Sequence, residues 1–370
     1  RSGAADPREA TADRAVNKPG QPQVTGVNGA YDYAIPLGEG VEFYSFGTWS
    51  DRRANSWLTF RNPNAAGNIL QIYPDGYIPR LHVHDQDAQL SGGVRGDLSG
   101  DVHFDLSTGW SKNRVDYKET TALNASLGPA SPTDLYIGFV RSTQWTTNLD
   151  LAKRFDIGGF EPMTVAAGLE YREDKYTIGA GELASYVDGG YRSPPGTFLA
   201  GTARQAGSQG VTGFPPSAAG SFGRNNWSAY VNLEGKPLSW LDFGIAGRHE
   251  RYSDFGSTDT GKASLRIAPI PQLAIRGTVS TGFRAPTLQQ QHYASSSTIG
   301  VLLPGATTTI LAPVRALPVS DPVAVAWGAQ PLKPEKSTNY SAGIVITPSR
   351  AFNVTVDAYQ IDIRDRILLS

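Results

Sequence analysis

Two imidazoles stand one residue apart in Leu81-His82-Val83-His84-Asp85, and an extended backbone would turn both to one side. That spacing can hold a metal ion. A structural zinc site needs four ligands and no third donor is evident, so a polar strand face is favoured and no metal is expected. His249 and His292 stand alone. The 370 residues contain no cysteine, which removes disulfides, thiolate metal sites and cysteine nucleophiles together. A serine hydrolase would need a Ser–His pair held by a third group, and no motif such as G-x-S-x-G occurs. Gly-rich pieces such as Gly179-Ala180-Gly181 lack the preceding strand and following helix of a phosphate cradle. Neither an enzyme nor a cofactor is expected. Asn124-Ala125-Ser126, Asn226-Trp227-Ser228, Asn339-Tyr340-Ser341 and Asn353-Val354-Thr355 match the glycosylation pattern. Three of them fall inside expected strands, which makes them chance matches.

Recognition chemistry remains. Tyr73, Tyr77, Arg80, His82 and His84 are expected in one long loop, and Tyr186, Tyr191, Arg192 and Arg204 in a second that is rich in Gly, Ala and Ser. His292 and Tyr293 fall in a third. Aromatic rings and guanidinium groups suit catecholate siderophores, haem and sugars alike. For each residue the alternative is an ordinary loop or girdle position, because few groups fix a ligand. Lys and Arg total 33 against 34 for Asp and Glu, a balance that does not suggest a nucleic-acid partner.

The elements that must carry these residues alternate with period two. Met163, Val165, Ala167, Leu169 and Tyr171 share one face against Thr164, Ala166, Gly168, Glu170 and Arg172. Trp227, Ala229, Val231 and Leu233 oppose Ser228, Tyr230, Asn232 and Glu234. Leu241, Phe243 and Ile245 oppose Asp242 and Gly244, with Arg248 and Glu250 further along the polar face. Leu265, Leu273 and Ile275 are set against Lys262, Arg266 and Arg276 in the same way. Connections also sort by parity. Short turns fall at 36–40, 97–100, 155–161, 236–240, 269–271 and 348–350; long segments fall at 61–81, 118–138, 179–223 and 284–335. Brief turns at one end and large loops at the other mark a transmembrane β-barrel, whose strands dilute their hydropathy by showing lipid only every second residue. Trp110, Trp145, Tyr171, Trp227, Trp240, Tyr252, Tyr340 and Phe352 near strand ends suit interfacial girdles. A soluble sandwich would have shorter strands and unsorted loops. The pattern gives about twelve antiparallel strands. Residues 1–28 are expected to form an extracellular loop segment and 29–370 a partial barrel. The start at Arg1 and the stop at Ser370, directly after a strand pattern, suggest that both ends are cut.

Ser280–Gln290 reads STGFRAPTLQQ, and its Gly282, Phe283, Arg284, Ala285, Pro286, Thr287 and Leu288 resemble the signature of TonB-dependent receptors. Arg251-Tyr252-Ser253-Asp254-Phe255-Gly256 resembles the YSDFG hairpin of that family, and Leu332-Lys333-Pro334-Glu335-Lys336-Ser337 its L-x-P-E-x-S motif. Asp357–Ile367 resembles the strand that follows, and Tyr73-Pro74-Asp75-Gly76-Tyr77 a loop motif of one large subgroup. The departures are Gln291, where Leu is frequent, and Gly328-Ala329-Gln330-Pro331 in place of a Gly-Asn-Pro lead-in. The resemblance is tightest over Asn225–Ile367.

It implies an all-β barrel of about 22 strands around a plug, of which this chain would hold the middle and neither the plug, its TonB box nor the closing strands. It further implies bacterial outer-membrane localisation, contact with membrane lipid and lipopolysaccharide, and energy from the TonB–ExbB–ExbD complex through the plug. The cargo would be an extracellular nutrient complex, of the iron–siderophore type in the first place, with carbohydrate or cobalamin as variants. A passive porin or structural barrel is the competing expectation. Pro286 and Pro334 should stop their strands at one height, which sets Arg284 beside Glu335 within salt-bridge reach.

Overall fold

The computed structural model describes residues 22–158, 162–197, 200–301, 304–305 and 310–368. Alternating stretches become ten successive strands: β1 (Gln23–Gly38), β2 (Val41–Trp57), β3 (Arg80–Leu98), β4 (Val102–Thr120), β5 (Leu135–Phe155), β6 (Met163–Gly179), β7 (Gly220–Leu238), β8 (Leu241–Tyr252), β9 (Gly256–Ile270) and β10 (Leu273–Arg284). A hairpin of β11 (Ser295–Val301) and β12 (Ile310–Ala316) follows, then β13 (Glu335–Ser349) and β14 (Phe352–Arg364). All but the small hairpin form one antiparallel sheet of 12 strands in chain order. Up-and-down order is what short turns dictate, because a two-residue connection can only return the chain antiparallel to its neighbour. At the β1–β2 turn, Glu39 and Gly40 both take positive φ (44° and 79°), the geometry that twists with the strands.

The expected parity holds. The chain passes between strands at 38–41, 98–102, 155–163, 238–241, 270–273 and 349–352 at one end, and through loops 58–79, 121–134, 180–219 and 285–334 at the other. Only 253–255 is brief at the long-loop end. Two boundaries move. Strand β1 begins at Gln23 rather than after residue 28, while 1–21 lie outside the described residues. Strand β3 begins at Arg80, so Arg80, His82 and His84 stand on a strand instead of in a loop. Leu81 and Val83 continue its alternation, and the backbone follows them upward.

Register sorts side chains into two faces. Leu149 faces Leu169, which faces Ala229; Ala167 faces Val231; Ile267 faces Ile275, which faces Ile344. Leu169, Trp227, Val231, Ile245, Leu265 and Ile275 on this outer face are exposed. The opposite face pairs Glu170 with Ser228, Tyr230 with Arg248 and Asp242 with Arg266. Six strands of that inner face and a segment of loop 285–334 line one cavity, so the inner face is concave. Outer-face aromatics stand at two levels, with Trp49, Trp110, Trp145, Tyr171 and Trp227 toward the long loops and Phe155, Trp240 and Phe352 toward the turns. Trp145 to Phe155 covers ten steps of one strand; at about 3.3 Å each and a tilt of about 40°, that rises about 25 Å, the height of a barrel's apolar band. Tyr252 departs from the expected girdle. It shares parity with Glu250 and Arg248, is buried on the inner face, and donates its hydroxyl to Glu250 Oε2 at 2.9 Å.

Candidate functional site

The long loops carry a core of their own. In loop 58–79 the backbones of Arg61 and Tyr77 exchange hydrogen bonds of 2.8 and 3.0 Å, and Gly76 makes the bend (φ 83°). A Cβ on Gly76 would stand 2.4 Å from the Arg61 carbonyl oxygen, so only glycine fits. Ile69, Tyr77, Leu123 and Ala125 form a buried cluster that joins this loop to loop 121–134, with Tyr73 and Tyr191 packed on it. Tyr73 stacks on Tyr77 at 4.4 Å, and the Tyr77 hydroxyl donates to Gly67 O at 2.7 Å. Burial pushes the Tyr77 phenol well above its ordinary pKa, so it stays protonated and a donor. Asn124 is fully buried, donating to Ala184 O and Val187 O at 2.8 Å and accepting from Ser126. Its side-chain amide is thus spent on loop 180–219.

Polar ties lock the third loop down. Glu119, at the top of β4 and 0% exposed, accepts from the Ser208 hydroxyl and from Val211 N at 2.5 Å. Burial pushes its carboxyl pKa up, while those donors pull against the shift. Arg61 donates to Gln209 O, and Arg204 Nη1 to Ala65 O and Ala66 O at 3.2 Å. Below these, Ala122, Leu135 and Ile137 form a second cluster, and Tyr176, Ile178, Phe214 and Leu288 a third. The three loops and part of the fourth thus make a packed cap over the inner face.

Leu288 belongs to α1 (Leu288–His292), a single turn opened by Thr287 and Gln290, which cap each other's backbone N–H at 3.0 Å. Three ties seat this turn on the wall. His292 lies flat on Phe222 with centroids 3.9 Å apart, Arg224 donates to Pro286 O at 2.6 Å, and Gln291 donates to Asp254 Oδ2 at 2.9 Å. Burial holds the His292 imidazole below its usual pKa, hence neutral near pH 7. Beneath α1 lies a cavity of about 610 Å³ lined by Thr48, Gln89, Ser111, Gln144, Asp174 and Arg224 among others. Its lining is mostly hydroxyls and amides. Arg224 is answered there by Asp174 at 3.0 Å and Asp254 at 3.7 Å, and the buried Tyr176 hydroxyl makes no hydrogen bond within the described residues.

At the rim, Arg284 and Glu335 meet as their motif suggests. Nε and Nη2 donate to Oε2 and Oε1, both at 2.8 Å, and Ile367 N donates to Oε1 at 2.8 Å. The pair is opposed in register, and Glu335 is the more shielded member, with 11% of its side chain exposed. Arg284, and after it the Ile367 amide, hold the Glu335 carboxyl from 4.5 down to about 2. A carboxyl with a depressed pKa stabilises above its unfolded value and ceases to do so as pH falls through the folded one. Protease cleavage within loop 285–334 of the full-length receptor should therefore accelerate as pH drops from 4.5 toward about 2. Arg284→Gln should flatten that dependence, and the exchange Arg284→Glu with Glu335→Arg should restore protection near neutral pH. A cleavage rate that ignores both changes would dispose of the staple.

The expected ligand residues divide. Tyr73, Tyr77, Tyr191 and Arg204 spend their rings and donors on the cap itself. Arg192 is exposed, with Nη1 donating to Gly201 O at 2.9 Å, and Tyr186, in the same loop, is half-buried. His292 and Tyr293 lie at the cap's underside, the latter edge-on to Phe214 at 6.2 Å. Arg80, His82 and His84 are on the outer face of β3, away from the cavity. Arg80 lies over the Trp57 ring at 3.9 Å; His82 bonds Asn55 and Thr120, and His84 bonds Asp51. Among the described residues no group of three or more His, Cys, Asp or Glu is placed to hold a metal ion. Sequence reasoning did not single out Asp174, Tyr176, Arg224 or Asp254. The inner-face parity of Asp174, Tyr176 and Arg224 was readable, and Asp254 stood in the expected turn, but their meeting with the α1 segment depends on how a long loop folds back.

A family model described as "TonB dependent receptor-like, beta-barrel" matches residues 27–370. Among solved structures the chain is similar to the siderophore receptor PirA from Acinetobacter baumannii, at TM-score 0.59 and 15% identity over 94% of this chain and 44% of that one. It is similar to the RagAB peptide transporter (TM-score 0.59, 10% identity, 92% of this chain, 40% of that one). A third likeness is to the ferric-catecholate import receptor Fiu from K12 E. coli (TM-score 0.50, 11% identity, 93% and 52%). At such identities the likeness is one of fold. The chain spans about half or less of each of these proteins. No curated protein matches its sequence.

Proposed function

The chain belongs to the TonB-dependent receptor β-barrel family, and from that premise we propose that it is part of an outer-membrane receptor which imports a scarce nutrient with TonB-supplied energy. Members of this family sit in the bacterial outer membrane. In this reading the long loops are extracellular, the outer face meets lipid, and the plug of the full-length receptor carries the contact with TonB–ExbB–ExbD. An iron–siderophore complex is the cargo we put first, ahead of carbohydrate, cobalamin or peptide.

The observation that carries the reading is the packed cap. Loops that merely flank an open pore need no core, whereas these bury Leu123 completely, pack on the strand-top residues Leu135 and Ile137, and are tied down through Asn124, Arg204 and, from β4, Glu119. A rigid cap above a polar cavity presents fixed groups to a complex too large to diffuse through, which is how few contacts give selectivity. Tyr186, Arg192, His292 and Tyr293 are the surviving ligand candidates from the sequence, and Tyr176 and Gln289 join them from the cavity. A strain lacking the gene should lose growth on one ferric siderophore as sole iron source and keep growth on cobalamin, peptide and glycan sources. Loss on a different nutrient would move the cargo assignment; unimpaired growth on every source would remove the receptor role.

A further inference from the structure

Register shows where the charges of the cavity beneath α1 stand. One inner-face row runs from Thr48 through Gln89, Ser111 and Gln144 to Asp174 and Arg224. The row above it holds Asp87, Asn113, Ser142 and Tyr176. Lys112 and Lys175 alternate with these residues and project from the outer face, so their ammonium groups lie outside the cavity. Arg224, the guanidinium of the lining, is spent: it donates to Asp174 at 3.0 Å and to Pro286 O at 2.6 Å. Arg52 above the rows is answered by Asp85, and Arg172 below them by Glu170 and Asp174. Asp87 differs. It is exposed in the lining, its Oδ1 accepts from Asn113 Nδ2 at 2.9 Å, and among the described residues it takes part in no ion pair. The unbalanced charge of the cavity is therefore negative. Tyr176, 4% exposed, lines the same space and leaves its hydroxyl without a hydrogen-bond partner among the described residues.

We propose that this cavity takes neutral ferric trihydroxamates and turns away ferric tricatecholates, with Asp87 setting the choice. This rests on the ferric-siderophore reading above and names the class of chelate. Iron(III) held by three hydroxamates has its charge cancelled, whereas three catecholates leave the complex trianionic. Such an anion would leave water for a lining in which no cation is free and Asp87 repels it, and a charge transferred without a partner is costly. A neutral complex meets no such cost. Its hydroxamate oxygens are acceptors, which suits the Tyr176 hydroxyl and the Gln89 amide as donors. A buried donor left unpaired gains most from such an acceptor. The volume of about 610 Å³ falls in the range of about 300–1,000 Å³ usual for small-molecule sites. Guanidiniums that could answer a catecholate stand elsewhere: Arg80 on the outer face, Arg204 bonded to Ala65 O and Ala66 O, and Arg192 on the exposed side of the cap.

The test is calorimetric titration of the full-length receptor in uncharged detergent with two hexadentate chelates, a neutral ferric trihydroxamate and a trianionic ferric tricatecholate. The parent should bind the trihydroxamate about tenfold tighter or more. Asp87→Asn keeps the shape of the side chain and removes its charge. It should tighten tricatecholate binding about tenfold and leave the trihydroxamate within about twofold of the parent. Tyr176→Phe should weaken the trihydroxamate about three- to tenfold, with a Tm no lower than the parent's, because the phenol bonds nothing in the free protein. Tighter binding of the tricatecholate by the parent, or discrimination that survives Asp87→Asn undiminished, would overturn the assignment while leaving the ferric-siderophore cargo in place. Binding of neither chelate would remove that cargo, and this inference with it.

Discussion

Arginine in place of Leu169 is expected to cost the folded barrel about 2–4 kcal/mol, as a cation does near the middle of the apolar band. Leu169 projects from the outer face, 56% exposed, and is opposed by Leu149 and Ala229. Trp145 and Phe155 bracket that level on the neighbouring strand. The same arginine at Asn232, on the inner face and at similar depth opposite Ala166, should cost well under that figure. Urea unfolding of the full-length receptor in lipid vesicles reads the difference directly. Equal costs at the two positions would mean that the outer face does not meet hydrocarbon.

The second large effect lies in the cap. Phe214 is 4% exposed and packs on Tyr176, Ile178 and Leu288, with Tyr117 and Tyr293 edge-on at 6.5 and 6.2 Å. Its backbone also bonds Ile137 O and Gly181 N, both across the loop's base. Removing a buried aromatic side chain typically costs about 3–5 kcal/mol, here drawn from local stability of the cap because the wall keeps its ladder. Phe214→Ala should speed amide exchange throughout loop 180–219 and leave β4–β6 protected. Arg192→Ala, on the exposed side of the same loop, should leave exchange near the parent's. If both variants exchange alike, the cap has no core of the kind described.

Much of the wall could be read from the sequence because its signal is periodic. Alternation at Met163–Arg172 and Trp227–Glu234 fixes which residues share a face, and Pro286 and Pro334 fix where two strands stop. From these the Arg284–Glu335 pair followed, and the register confirms it. Tyr252 was misjudged although the signal was present: its parity matches Glu250, so it had to turn inward. Arg80, His82 and His84 were assigned to a loop although Leu81 and Val83 already alternate with them, and β3 begins at Arg80. The cap was not readable for a different reason. A loop has no period, so nothing in Tyr73 or Tyr77 distinguishes a ring that greets a ligand from one that stacks under Leu123. Likewise Asp174 and Arg224 could be placed on the inner face but not beside Pro286, because α1 reaches them only through the fold of loop 285–334. The small hairpin β11–β12 went unnoticed in that loop, although Pro304-Gly305 between its two short runs is a turn signal.

Energised import separates this account from a passive barrel most directly. Uptake of the growth-rescuing nutrient, labelled and supplied well below the concentration at which it diffuses in, can be followed in strains with and without TonB. The account predicts saturable accumulation that depends on the full-length receptor and stops when TonB is removed. Uptake that persists without TonB and rises in proportion to external concentration would contradict it.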